Sequence, residues 1–376
     1  MIYLIKQFDT PVLRFSADSG AENNLRVLWV NEEASCLPLD LESPTDAGVY
    51  SWLRHRAVPK NRAYVDALLS SMGLSINRPL DVIRLSKGLS LNDCYWVVEE
   101  GYEGTFAQNN LYDNRFSRVL GQIAFTGYGS SNISGLTSSP EFTTNGMLPK
   151  CWRRESGTIR LYKGGTEGAS NTGNEPYSEF YAASIAKMLG INAVDYSLSQ
   201  WKGKLCSVCD LFTSKEVSYI PVGRIVRSGG MKAVRAYYAS LGKEFVQALN
   251  DMIVFDAVIF NTDRHYGNFG FLVDSGTNQI IAPAPLFDHG NSLFNFAGKD
   301  ALSSEAAMKK YADTLVPSVY DHFVEEAKAV VTPEQKKKLR SLLNFRLPRH
   351  SRYNLPKERI RLIEKTVSAR VQEIVE

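Results

Sequence analysis

A polar run caught between two apolar ones sets the terms for this chain. Lys243 to Phe260 reads as a long apolar-periodic helix, and Phe269 to Val273 is an apolar run that reads as a second buried element. Between them stands Asn261-Thr-Asp-Arg-His-Tyr-Gly-Asn268. If both flanking elements are buried, this loop must surface at the rim of a packed core. A polar loop held by rigid elements is where chemistry tends to be placed.

The rest of the composition is ordinary. At about 150 residues per domain, 376 residues make two or three domains. Hydrophobic residues are 44% and charged ones 22%, which excludes disorder and collagen. The 43 Lys and Arg against 40 Asp and Glu leave a net charge of +3. That is too balanced for a surface devoted to nucleic acid, and direct nucleic-acid binding is not expected. Five cysteines are an odd, sparse set for a disulfide framework and suit a reducing cytoplasm, the expected location. No segment approaches about 18 uninterrupted apolar residues, so no membrane span is expected. Met1 to Phe8 lacks the basic flank of a secretory signal.

Three parts are expected. Residues 1–125 read as an accessory α/β domain. Its strands are Ile2–Ile5, Val12–Phe15, Arg26–Val30 and Cys94–Val98. Its helices are Arg62–Met72, with Asn61 as N-cap and Gly73 past the end, and one opening at Pro79. Residues 126–212 hold a small sheet and one helix. They begin with a Gly/Ser-rich segment, Gly127–Pro140, that reads as a linker. A hairpin of Trp152–Arg154 with Thr158–Lys163 follows, then a glycine-rich loop Gly164–Gly173 and a helix Tyr177–Leu189 stopped by Gly190. Strands are expected at Val194–Leu198, Leu205–Val208 and Ile220–Val226. Residues 213–376 are mostly helical and close with Ile360–Val375. A β-rich part followed by a helical part is an α+β arrangement.

Within the polar loop, Asp263 and Asn268 stand five residues apart. Protein kinases use the same D-x-x-x-x-N step, with the carboxylate serving the attacking hydroxyl and the amide oxygen serving Mg²⁺. Downstream, Pro285-Leu-Phe-Asp-His-Gly290 matches the place of the kinase D-F-G, with Asp288 as metal ligand and His289 in place of phenylalanine. Gly290 would let the backbone turn sharply. Upstream, Lys163 ends an alternating strand, and Glu179 lies near the start of the next helix. A kinase needs a strand lysine on the ATP phosphates, oriented by a helix glutamate. Each pair alone is common by chance; the ordered set is not.

These residues resemble HipA-type serine/threonine kinases, an atypical bacterial branch of the protein-kinase-like fold. Three segments carry the resemblance: Gly146-Met-Leu-Pro-Lys150, Asn174-Glu-Pro-Tyr-Ser-Glu-Phe-Tyr with its Ala-rich helix, and Asn261–Leu272 with Phe287-Asp288. The resemblance covers roughly residues 140–375. It implies a bilobal kinase-like fold, with a β-rich N-lobe and a helical C-lobe behind the accessory domain. It implies Asp263 as catalytic base, Asn268 and Asp288 as Mg²⁺ ligands, and Lys163 on the ATP phosphates with Glu179 as its partner. Gly146, Lys150 and their neighbours would cover the phosphates. Asp210-Leu-Phe212 would offer its backbone to adenine. Thr143 takes the place of a serine that family members autophosphorylate. Gly267 stands where the family often has Lys or Arg.

The resemblance further implies a protein substrate, with translation factors among family targets, and a small helix-turn-helix antitoxin as partner. Two other readings stay open: an aminoglycoside-type small-molecule phosphotransferase, and a non-catalytic ATP-binding scaffold of a toxin–antitoxin pair. His265 is expected to hold the loop rather than bind zinc, because its neighbours are oxygen donors. Cys206-Ser-Val-Cys209 reads as a chance pair, lacking two further ligands. Trp52, Arg54, His55 and Arg56 read as a core tryptophan with exposed neighbours. The tail from Pro333 carries twelve Lys/Arg against five Asp/Glu and reads as a solvated helix face.

Overall fold

The short β-rich runs near the start form the expected strands. In the computed structural model, Arg26–Val30, Thr10–Ser16, Ile2–Gln7 and Tyr95–Glu99 pair in that order as an antiparallel sheet. Residues 1–18, 24–33, 36–129, 139–168 and 171–376 are described. Most of the Gly127–Pro140 segment, residues 130–138, and residues 169–170 of the glycine-rich loop lie outside them. The chain forms two compact units. The first comprises Met1–Lys163, Asp210–Ile220 and Leu272–Ile281. The second comprises Gly164–Cys209, Pro221–Phe271 and Ala282–Glu376.

In the first unit, Ile5 opposes Leu13 on one side and Val97 on the other, and Ile5 and Leu13 are fully buried. A helix Asp46–Arg56, not expected from the sequence, starts where the Thr45 hydroxyl accepts the Gly48 N–H. Its inner face splits the basic–aromatic cluster. Trp52 and Arg56 are buried, while Arg54 and His55 are exposed. The Arg56 guanidinium lies 4.5 Å over the Trp52 ring and grips Asp93 with two bonds of 2.8 and 2.9 Å.

The expected helix Arg62–Met72 is confined to Val65–Ser70, and Asn61 is not its cap. The cause is tertiary. Arg62 is drawn into a fully buried ion pair with Glu141 at 2.6 Å, and it donates to the carbonyls of Glu141 and Lys150 at 2.6 and 2.8 Å. Tyr64 then turns left-handed at φ 60 before the helix can start. Pro79 opens the helix Pro79–Ser86 as expected. A further helix, Arg118–Thr126, was not expected. The hairpin is present as Lys150–Glu155 with Thr158–Gly164.

In the second unit, the helix Glu175–Leu189 stops at Gly190, which is left-handed at φ 66. Cys206 and Cys209 lie on the strand Lys204–Asp210. Three residues apart on a strand, their side chains leave opposite faces and cannot share one ion. The strand expected at Ile220–Val226 is not there. Val217–Pro221 is the strand, and Val222–Ile225 is a helical turn. That turn arises because the Val222 and Gly223 N–H groups donate to the carbonyls of Phe269 and Tyr266, at 2.9 and 3.0 Å. The long helices Lys243–Ile259 and Lys357–Val375 carry much of the core. Among the described residues, no helix is long and apolar enough to cross a membrane.

Candidate active site

The helix Lys243–Ile259 ends at Phe260, left-handed at φ 54, and the Asn261 N–H returns to the Asp256 carbonyl at 2.9 Å. Asp256 is the polar exception in an apolar stretch. It is wholly buried, and a buried carboxylate requires partners. Arg264 supplies them. Its Nε and Nη2 each meet one Asp256 oxygen at 3.0 Å. Asn261 Nδ2 adds a third bond at 2.9 Å. Burial pulls the guanidinium pKa down, but Asp256 outweighs it and holds the value above the ordinary one.

Arg264 then does more than neutralise. Its Nη1 donates to the carbonyls of Asn268 at 3.0 Å and Phe287 at 2.6 Å. Its Nη2 meets His289 Nδ1 at 3.0 Å. Arginine has only donors, so Nδ1 is the acceptor there. One buried side chain therefore ties the helix end, the loop and the Asp288 segment together. Sequence spacing passed over Arg264. Its signal was the lone carboxylate, Asp256, inside the apolar helix face.

Asp263 is half-buried, with Oδ2 accepting from Asn291 Nδ2 at 2.9 Å. Asn268 Nδ2 donates to the Asp263 carbonyl at 3.3 Å, which turns its amide oxygen the other way. His265 is exposed, and its Nδ1 accepts the Gly267 N–H at 3.0 Å. It shapes the local turn, while the buried holding role belongs to Arg264. A Cβ on Gly267 would come within 2.8 Å of the His265 ring, so a side chain there would displace the imidazole from the Gly267 N–H.

Asp288 is reached through strand-like bonds. Val194 N–H donates to Leu286 O, and Leu286 N–H to Asn192 O. The Asp288 N–H donates to the Tyr196 hydroxyl at 3.3 Å. Burial, with Glu179 nearby, pushes the Tyr196 phenol well above its ordinary pKa, so it stays protonated. Glu179 is fully buried, and its Oε2 accepts the His289 N–H at 2.8 Å. His289 is buried edge-on against Phe255 at 5.3 Å, so it fills an apolar slot as well as bonding Arg264.

The sharp turn sits at Asp288 itself, left-handed at φ 58, rather than at Gly290. Gly290 serves another need. A Cβ there would stand 3.3 Å from Glu175 Cβ. Because Glu175 is buried and its Cβ must give way by a few tenths of an ångström, Gly290→Ala is expected to cost about 1 kcal/mol, read as a lower thermal midpoint. Asn268 and Asp288 together offer an amide oxygen and a carboxylate. Two such hard donors suit Mg²⁺, which keeps several waters and binds through few protein oxygens plus phosphates.

The first unit holds the other candidates. The hairpin register places Lys150 directly opposite Lys163, and both are buried. Opposed residues share a sheet face, so two ammonium-bearing side chains rise side by side. Lys150 Nζ donates to Asn145 O at 3.0 Å. Gly146 is left-handed at φ 91, and a Cβ on it would lie 2.1 Å from that Nζ. Thr143 is buried, its hydroxyl donating to Leu89 O at 2.8 Å with Pro140 O as the weaker, shared acceptor at 3.3 Å. The whole segment is pinned: Val58 N–H donates to Phe142 O and Ala63 N–H to Met147 O, both at 2.7 Å. Asp210 is exposed and paired with Arg160 at 2.8 Å. Leu211 N–H donates to Ile159 O at 2.9 Å, and Phe212 packs edge-on against Tyr219 at 5.5 Å.

No family model matches this chain. The serine/threonine-protein kinase CtkA of Helicobacter pylori is 28% identical over 135 residues, 32% of this chain and 41% of CtkA. The match thus spans about two fifths of that relative. HipA of Shewanella oneidensis, solved with HipB and operator DNA, superposes with a TM-score of 0.57 at 14% identity, covering 98% of this chain and 96% of that one. The fold is that of a HipA-type kinase. The crystal structure of CtkA, called a proinflammatory kinase, covers 60% of this chain and 91% of its own, with a TM-score of 0.49 and 18% identity. The HipA-type likeness runs through both units, including the first 125 residues, where sequence likeness was weakest.

Proposed function

We propose that this chain is an ATP- and Mg²⁺-dependent serine/threonine protein kinase. The observation that carries the reading is Arg264, which binds the Asp263–Asn268 loop and the Phe287–Asp288 segment into one buried network. Charged side chains that merely decorate a surface are not fastened in this way. In the reaction, a substrate hydroxyl oxygen attacks the γ-phosphorus, the bond to the bridging oxygen breaks and ADP leaves. Asp263 takes the hydroxyl proton. Asn268 and Asp288 would hold Mg²⁺, which neutralises phosphate charge when bound. Lys163 and Lys150 bring positive charge to the phosphates, and Gly146 leaves space for the Lys150 ammonium. The backbone of Asp210–Phe212 is the proposed adenine contact.

The test is ADP formation with an acceptor protein at saturating Mg²⁺. Lys163→Ala and Asp288→Ala are each expected to lose about a hundredfold or more in kcat/KM. Wild-type turnover in both would sink the assignment.

Autophosphorylation at Thr143 belongs to the same proposal and makes its own demand. The acceptor oxygen is buried and hydrogen-bonded, so phosphorylation must first pull residues 139–150 from their sites. A charge of about −1.5 to −2 cannot return there. Limited proteolysis is expected to cut this segment faster in the phosphorylated fraction than in the unmodified one. Equal rates would mean the segment stays docked. A small DNA-binding antitoxin is proposed as partner on the likeness to HipA, which was solved with HipB and operator DNA.

A further inference from the structure

The segment after Asp288 spends unusual backbone geometry to reach Asp263. Leu293 and Phe294 are both left-handed, at φ 49 and φ 61. Successive non-glycine residues in that region are disfavoured and persist only where the surroundings enforce them. Both side chains are buried, Phe294 packs on Phe260 at 4.6 Å, and Leu293 N–H donates to Ile259 O at 2.8 Å. This kink is therefore anchored to the same helix end that launches the loop.

Asn291 is what the kink presents. Its carbonyl accepts from Thr262 twice, from N–H at 3.1 Å and from the hydroxyl at 3.2 Å. Its amide Nδ2 donates to Asp263 Oδ2 at 2.9 Å. Asn295, buried, donates its own Nδ2 to Asn291 Oδ1 at 3.1 Å. That second bond fixes which end of the Asn291 amide is oxygen, and so which end faces the carboxylate. Asn295 is held in turn through its carbonyl by Asn174 at 2.9 Å and Arg359 at 3.0 Å.

We propose that Asn291 is a positioning residue for Asp263, with Asn295 setting its amide orientation. The donor occupies one carboxylate oxygen and fixes the plane of the group. The other oxygen is thereby aimed at the substrate hydroxyl. The inference rests on Asp263 being the base.

Three variants test it, with Asp263→Ala as reference. Asn291→Ala should lower kcat about ten- to a hundredfold while the KM for ATP stays within about twofold, as expected when only orientation is lost. Asn291→Asp keeps the shape but sets a second carboxylate against Asp263, and should be slower than Asn291→Ala. A packing role predicts the reverse order, because the aspartate fills the same space. Asn295→Ala, which leaves Asn291 in place, should lower kcat about threefold or more, and it carries the test if the Asn291 variants do not fold. The inference is overturned if Asp263→Ala is inactive while Asn291→Ala keeps the wild-type kcat, or while Asn291→Asp outpaces Asn291→Ala. If Asp263→Ala itself keeps the wild-type kcat, the kinase reading of the loop fails and this inference falls with it.

Discussion

Arg264→Met is expected to be the most damaging single change to the fold of the second unit. It leaves the Asp256 carboxylate wholly buried with the Asn261 amide, among the described residues, as its one remaining side-chain donor. Breaking a buried pair from one side costs about 3–5 kcal/mol. Native stability is about 5–15 kcal/mol, so the loss would be a large share of the whole. Urea unfolding should show a markedly lower midpoint. The pair itself need not be stabilising, since desolvation offsets the attraction. The double change Asp256→Leu with Arg264→Met should therefore recover much of the midpoint. It should not recover activity, because the carbonyls of Asn268 and Phe287 still lack their shared donor. An unfolding free energy within about 1 kcal/mol of wild type for the single variant would show that the pair is not a keystone of the fold. An active double variant would show that the carbonyl bonds do not place the site.

The contrast between Arg264 and its neighbours shows what a sequence reveals. Asp263, Asn268 and Asp288 could be put forward from the sequence because the chemistry proposed for them fixes a spacing along the chain. Arg264 has one local mark, the lone carboxylate Asp256, but its bonds to Phe287 and His289 reach more than twenty residues on, where no spacing rule points. The same holds for Arg62. Helical periodicity from Val65 to Met72 was real, but the Glu141 pair decided where the helix begins. Asp46–Arg56 was passed over because its inner face mixes Trp52 and Leu53 with a buried arginine, which blurs the apolar stripe. Short strands such as Ile2–Gln7 and Thr158–Gly164 were visible from local β-rich runs, whereas the one expected at Ile220–Val226 was lost to bonds with residues 266 and 269. Gly290 shows a subtler gap. Glycine two residues after Asp288 suggested a turn, but the left-handed residue is the aspartate and the glycine lies close against Glu175.

Asp263→Asn is expected to remove the chemistry and leave the structure. Asp263 is half-buried at a loop, and the amide is nearly the same size as the carboxylate. Asn291 Nδ2 approaches one oxygen of residue 263 as a donor, so the new amide should turn its own oxygen towards Asn291. Its NH₂ then faces the substrate hydroxyl, where an acceptor is needed. The substitution thus loses the base and reverses the polarity at the attacking group. General-base catalysis is worth about 10²–10⁴, or about 2.7–5.5 kcal/mol of barrier. A kcat lower by that factor is expected, with the thermal midpoint unchanged. The KM for ATP should move little, because no ATP contact is assigned to Asp263. Asp288→Ala differs in kind: it should also raise the Mg²⁺ concentration needed for half-maximal rate. If Asp263→Asn instead raised that concentration with kcat preserved at high Mg²⁺, Asp263 would serve the metal and the base would have to be sought elsewhere.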